Sequence, residues 1–138
     1  MAQTIPHPRT EFGAAPDACE PVSLDHERLD VYSVAVAFQN LAAGICGNRR
    51  IGANLRDQLD RASVAIVLNI AEGAGRRTVR EKAQFFTIAR GSATECAAVL
   101  DLLEARGLVS AALHRHARGK LVRIVQMLTR LVLNTPGR

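Results

Sequence analysis

A chain of 138 residues is long enough for one domain with a real core. Its composition is 48% hydrophobic, only 4% aromatic and free of tryptophan, which points to a core of Leu, Val, Ile and Ala, as in close-packed helix bundles. The cysteines Cys19, Cys46 and Cys96 have an odd total and no C-x-x-C spacing, and no apolar leader precedes them; this excludes a disulfide framework and predicts reduced thiols in the cytoplasm. The net charge is +5, but residues 1–30 hold two arginines against six carboxylates, so the remainder carries +9 and favours a polyanion or an acidic partner.

Residues 1–24 hold four of the five prolines, an excess of acid and no periodicity, and read as a flexible tail able to lie over the basic body. The bundle is expected over 25–134, with 135–138 a short C-terminal tail. The first helix runs from about Leu29 to Ile45, with Val31, Val34, Ala35, Phe38, Leu41, Ala42 and Ile45 at the spacing of one buried face. Gly44 and Gly47-Asn48 end it. A short basic connection containing Arg49 and Arg50 follows, and Asn54 reads as the N-cap of the next helix.

The second helix runs from about Leu55 to Glu72, and from Ala62 to Ala71 it is apolar on nearly every side, interrupted only by Ser63 and Asn69. Leu59, Ala62, Ile66, Asn69 and Ile70 form one stripe, and Val64, Val67, Leu68 and Ala71 form another. A surface helix of a lone globule has one wet face, and this stretch of ten residues falls short of the ~20 that span a bilayer. One stripe therefore faces the core, and the other faces a further helix of the chain or a second copy. Gly73-Ala74-Gly75 followed by Arg76-Arg77 can be read as a phosphate cradle or as a plain interhelical turn; with no strand before it and no P-loop Lys-Ser/Thr after it, the turn is favoured.

Thr78-Val79-Arg80-Glu81 is a capping box that opens the third helix, from about Val79 to Ala105. Phe86, Ala89, Ala93, Cys96, Leu100 and Leu103 form its core face. Gly91, Ser92, Ala97 and Ala98 are small enough for another helix to come close, which reads Gly91 as a packing concession. Arg106-Gly107 closes this helix, and Ser110 caps a fourth that runs to about Leu133, with Leu121, Ile124, Val125, Leu128, Leu131 and Val132 at core spacing. From Arg106 to the end there is no carboxylate. Four helices with short connections predict an all-α, up-down-up-down antiparallel bundle.

The run Asn69-Ile70-Ala71-Glu72-Gly73, then Gly75-Arg76, Phe85-Phe86, Ala89, Gly91-Ser92 and Glu95, together with Leu29-Asp30-Val31-Tyr32, carries a resemblance over roughly Leu29 to Val132. It resembles the small bacterial four-helix-bundle family first met in intervening sequences of large-subunit ribosomal RNA genes. It is also similar to the accessory variability determinants of diversity-generating retroelements. Members often have a proline two residues before the Asn; Val67 stands there, which predicts a straighter second helix. The resemblance implies a homopentameric ring, association with a reverse transcriptase, and binding of DNA and RNA.

The residues themselves point to binding rather than catalysis. Asn69 and Glu72 lie three apart near the end of an apolar run, and a carboxylate buried there would need Arg61, Arg76 or Arg90 as partner. They read as a polar pair that sets helix or subunit packing, with a catalytic carboxylate as the other reading. His114 and His116, two apart, cannot share a metal on a helix, and Cys96 reads as a core thiol. No nucleophile–base constellation, metal site or cofactor site is indicated, so a non-enzyme is expected.

The contacts expected with nucleic acid are Arg49, Arg50, Arg76, Arg77, Arg80, Arg115, Arg118, Lys120 and Arg123. With few aromatics to stack on bases, they would read phosphates with little sequence preference. Val64, Val67, Leu68, Asn69, Ala71 and Glu72 are the expected subunit interface. The alternative is a scaffold or adaptor that never touches nucleic acid, its cations forming an ordinary solvated face.

Overall fold

The computed structural model describes residues 23–134, so the proline-containing leader with His7 and Cys19, and residues 135–138, lie outside it. After a 3-10 turn at Asp25–Arg28 come four helices: α1 (Asp30–Cys46), α2 (Ala53–Ala74), α3 (Val79–Ala105) and α4 (Ala111–Leu133). There is no strand among the described residues. Each helix touches its neighbour in sequence, and α4 closes back on α1, which makes a four-membered ring of antiparallel neighbours. The class expected from periodicity is the class observed.

The core is built where the spacing puts it. Val31, Val34, Ala35, Phe38, Ala42 and Ile45 of α1 meet Leu59, Ala62, Ile66 and Ile70 of α2, then Phe86, Ala89, Ala93, Cys96, Leu100 and Leu103 of α3. Ala117, Leu121, Ile124 and Leu128 of α4 complete it. Leu41, Val125, Leu131 and Val132 flank this core partly buried, one step off the expected positions. Ile51 in the α1–α2 connection is also buried and plugs the end of the bundle, which the short basic linker did not suggest.

Helix ends follow from local chemistry, with three corrections. Gly44 lies inside α1, which runs on to Cys46. The N-cap of α2 is Gly52, in extended backbone, and Asn54 sits inside the helix with its side chain in water. At the other end α2 continues through Gly73 and Ala74, so the Gly-rich run offers carbonyls of a helix C-terminus, not a cradle of amides. Lys82 Nζ donates to the Ala74 carbonyl at 2.7 Å there, a cation placed at the negative end of the helix dipole. That contact overturns the phosphate-cradle reading.

The remaining ends fall where expected, but the Thr78–Glu81 capping box forms only by half, with no bond from the Thr78 amide to the Glu81 carboxylate. Thr78 Oγ1 accepts from the Glu81 amide at 3.2 Å, and Ser110 Oγ accepts from the Leu113 amide at 3.1 Å. Gly107 has φ +68; its amide donates to the Glu104 carbonyl and that of Leu108 to the Leu103 carbonyl, both at 2.9 Å. These two bonds form a Schellman cap, which needs a left-handed residue and so a glycine.

Two glycines in the α2–α3 hairpin differ in what surrounds them. A Cβ on Gly73 would stand 2.8 Å from Phe86 Cε1 and 3.0 Å from Phe85 Cβ, so the missing side chain lets α3 close onto α2. A Cβ on Gly91 would meet nothing within 4 Å, and the residue is exposed. The reading of Gly91 as a packing concession within this fold is therefore wrong; Gly73 holds that role.

Candidate nucleic-acid interface

The arginines of α4 are placed by its periodicity. Ala117, Leu121, Ile124 and Leu128 turn one side of the helix inward, which leaves Arg115, Arg118, Lys120, Arg123 and Arg130 on the outward arc. No carboxylate lies on α4, and α1 beside it carries only Asp30, at its first turn.

Between α1 and α4 runs a groove of about 480 Å³ lined by Ser33, Val34, Ala37, Arg115, His116, Gly119, Lys120 and Arg123. Its lining contains three permanent cations, an imidazole, no carboxylate and no Phe, Tyr or Trp. A separate depression toward the other end of α4 is lined by Arg28, Asp30, Met127 and Arg130, among others.

The nine expected contact residues thus fall into three places. Arg115, Lys120 and Arg123 share the groove, and Arg118 stands exposed on the same helix outside its lining. Arg49 and Arg50 are exposed in the α1–α2 connection, which Asn48 ties to the α3–α4 turn by a 3.4 Å bond from Nδ2 to the Leu108 carbonyl. Arg76, Arg77 and Arg80 lie at the opposite end. Arg76 is already engaged: it bonds Glu72 Oε2 at 2.8 Å and stacks over the Phe85 ring, 4.7 Å from its centroid. None of the other eight takes part in an ion pair among the described residues. His116 and Arg130 were not among the expected contacts; Arg130 follows Arg123 by seven residues, two turns along one face, and that spacing could have found it.

The carboxylates sit elsewhere. Arg61 pairs with Glu95 across α2 and α3 at 3.1 Å. His114 lies between two α3 carboxylates, Nε2 2.7 Å from Asp101 Oδ1 and Nδ1 3.0 Å from Glu104 Oε2. These contacts hold the acids of α3 on the side of α4 away from the groove.

Glu72 is not the buried carboxylate the apolar run suggested. Its side chain is 54% exposed and paired with Arg76 one turn on, while Asn69 Nδ2 donates to the Ala65 carbonyl of its own helix at 2.8 Å. No group of three or more His, Cys, Asp or Glu among the described residues is placed to hold a metal ion. Burial pushes the Cys96 thiol up to about 12, with the Glu95 charge and Cys46 adding to it, and burial chiefly raises that of Cys46. Neither is set up as a nucleophile. No helix among the described residues is long and apolar enough to cross a membrane.

The second apolar stripe of α2 lies on the surface. Val64 is 36% and Leu68 58% exposed, Val67 and Ala71 are half-buried, and Ile88 of α3 is 47% exposed. The Arg61–Glu95 pair and the Gly73–Phe86 approach bracket the hairpin register. Within that bracket Ile88 runs alongside the Val64–Leu68 turn, on the side of the bundle away from the α1–α4 groove.

Fold and surface together define an all-α helical bundle with one strongly basic side. The sequence pattern of the 23S rRNA-intervening sequence protein family matches residues 27–130, and the chain belongs to that family. Among solved structures it is similar to a protein of unknown function from the S23 ribosomal protein family of Bacteroides thetaiotaomicron VPI-5482. The two share 18% identity at a TM-score of 0.68, covering 74% of this chain and 97% of the other, a likeness of fold. No functionally curated protein matches the chain.

Proposed function

We propose that this chain is a non-enzymatic bundle that self-associates and binds nucleic acid, or a nucleoprotein partner, through the basic side formed by α1 and α4. The observation that carries this reading is the row of cations on α4 that have no ion-pair partner among the described residues, with no acid on that helix and none lining the groove beside it. Such a surface binds phosphates, releases counterions and weakens steeply with salt. The family and its solved relative are named for ribosomal RNA and a ribosomal protein, which supports RNA as a ligand. The resemblance to retroelement accessory proteins supports a ring of five copies, a reverse transcriptase as the nucleoprotein partner, and DNA as a second ligand. The site of action is the cytoplasm.

The test is a mobility-shift assay with RNA and DNA probes across a salt series. Binding that falls as salt rises is expected. No binding even at low salt would leave the scaffold reading, which the exposed Val64–Leu68 face supports on its own. Catalysis by Glu72 is tested with Glu72→Gln: retained behaviour in every assay is expected, and a metal-dependent cleavage lost in that variant would replace the binding reading with an enzymatic one.

A further inference from the structure

Resting on that nucleic-acid reading, we infer that the ligand is a duplex, seated with one phosphodiester strand along the α1–α4 groove, and that an isolated single strand is the poorer ligand. The groove presents charge in a row. Arg115 and Arg123 are eight residues apart on one helix, a rise of about 12 Å, with Lys120 between them. Along the strand itself successive phosphates stand about 6–7 Å apart, roughly twice the axial rise, so about two phosphates pass this row. Two of the groove's lining residues are small, Ala37 and Gly119, and a Cβ on Gly119 would meet only open space. A backbone ridge can therefore descend between the helices and meet cations along its length.

What the groove lacks decides between the two forms. A single strand held without sequence preference is fastened by stacking its bases on aromatic side chains as well as by charge. Here Phe38 and Phe86 are buried, Phe85 lies beneath Arg76, and Tyr32 packs edge-on against His26. None lines the groove. A single strand seated there would leave its bases in water with only the His116 imidazole to stack on. A duplex keeps its bases stacked on one another and offers only phosphate.

The experiment measures binding of the full chain by fluorescence anisotropy. Probes of one mixed sequence, about 20 nucleotides long, are used as RNA duplex, DNA duplex, RNA–DNA hybrid and the corresponding single strands, over a salt series. All three duplexes should bind with similar affinity, about tenfold or more above the single strands, because a strand ridge is common to them. Combined Arg115→Ala, Lys120→Ala and Arg123→Ala should flatten the log–log salt dependence on duplex by about 2 to 3. The same number of changes at cations outside the groove and outside the expected contacts, Arg56→Ala, Arg90→Ala and Arg106→Ala, should leave that slope nearly unchanged. Single strands binding as tightly as duplexes, or the slope falling in this second variant instead, would overturn the inference while leaving nucleic-acid binding intact. Silence from every probe at low salt would remove the broader reading first. The comparison of probes on the unaltered protein stands whether or not the variants fold.

Discussion

Cys96 shows how a single side chain carries both packing and a pH response. It is fully buried on the inner face of α3, and its thiol is pushed from an ordinary 9.0 up to about 12, chiefly by burial. The folded state thus favours the neutral thiol. Its contribution to stability is complete below pH 9, where folded and unfolded chains both keep the proton, and is lost progressively from there toward 12 as only the unfolded chain ionises. Denaturant unfolding of the native chain and of Cys96→Ala should therefore show a stability gap at neutral pH that narrows near about pH 10. A gap that widens would mean the thiol is not buried as described. The core role of Cys96 was legible in its position on an apolar stripe. The clasp of His114 by Asp101 and Glu104 was not, because it depends on how an antiparallel hairpin sets residues 13 and 10 apart in sequence side by side.

At the scale of elements, the α2–α3 hairpin separates two glycines that look alike in sequence. Adding a methyl at Gly73 drives it into Phe86 and Phe85, so Gly73→Ala should cost about 1–3 kcal/mol. Gly91→Ala, in open space on an exposed helix, should gain up to about 1 kcal/mol from helix propensity. Urea midpoints of the two variants check both signs at once, and a reversal would mean the hairpin register is different. Both glycines lie in helical, small-residue surroundings, so periodicity located the helices but could not say which one a ring presses against. The same limit explains Asn54: cap propensity favoured it, yet Ile51 is anchored in the core, and the helix starts as soon as the chain turns at Gly52. The helices were readable because their apolar stripes are long. Which arginines share a groove was not, because that depends on α4 closing against α1, the two helices furthest apart in the chain.

For the molecule as a whole, the basic and apolar surfaces occupy opposite sides. Leu68 is the most exposed residue of the α2 stripe, so Leu68→Asp should convert an assembled protein into single subunits of unchanged helicity. Sedimentation together with circular dichroism reads both. A native chain that is already a lone subunit at micromolar concentration would end the self-association proposal, with no consequence for the groove.

That placement on opposite flanks has a corollary for how strongly an assembly would hold its ligand. Were copies to join through α2 and α3, as proposed, their grooves would face outward, and each added copy would supply another anchor without obstructing those already there. A nucleic acid long enough to reach from one groove to the next is then held by avidity, the second contact being made at high effective concentration. One too short to bridge them is held by a single groove. Grip should accordingly rise abruptly with ligand length, at the span between neighbouring subunits.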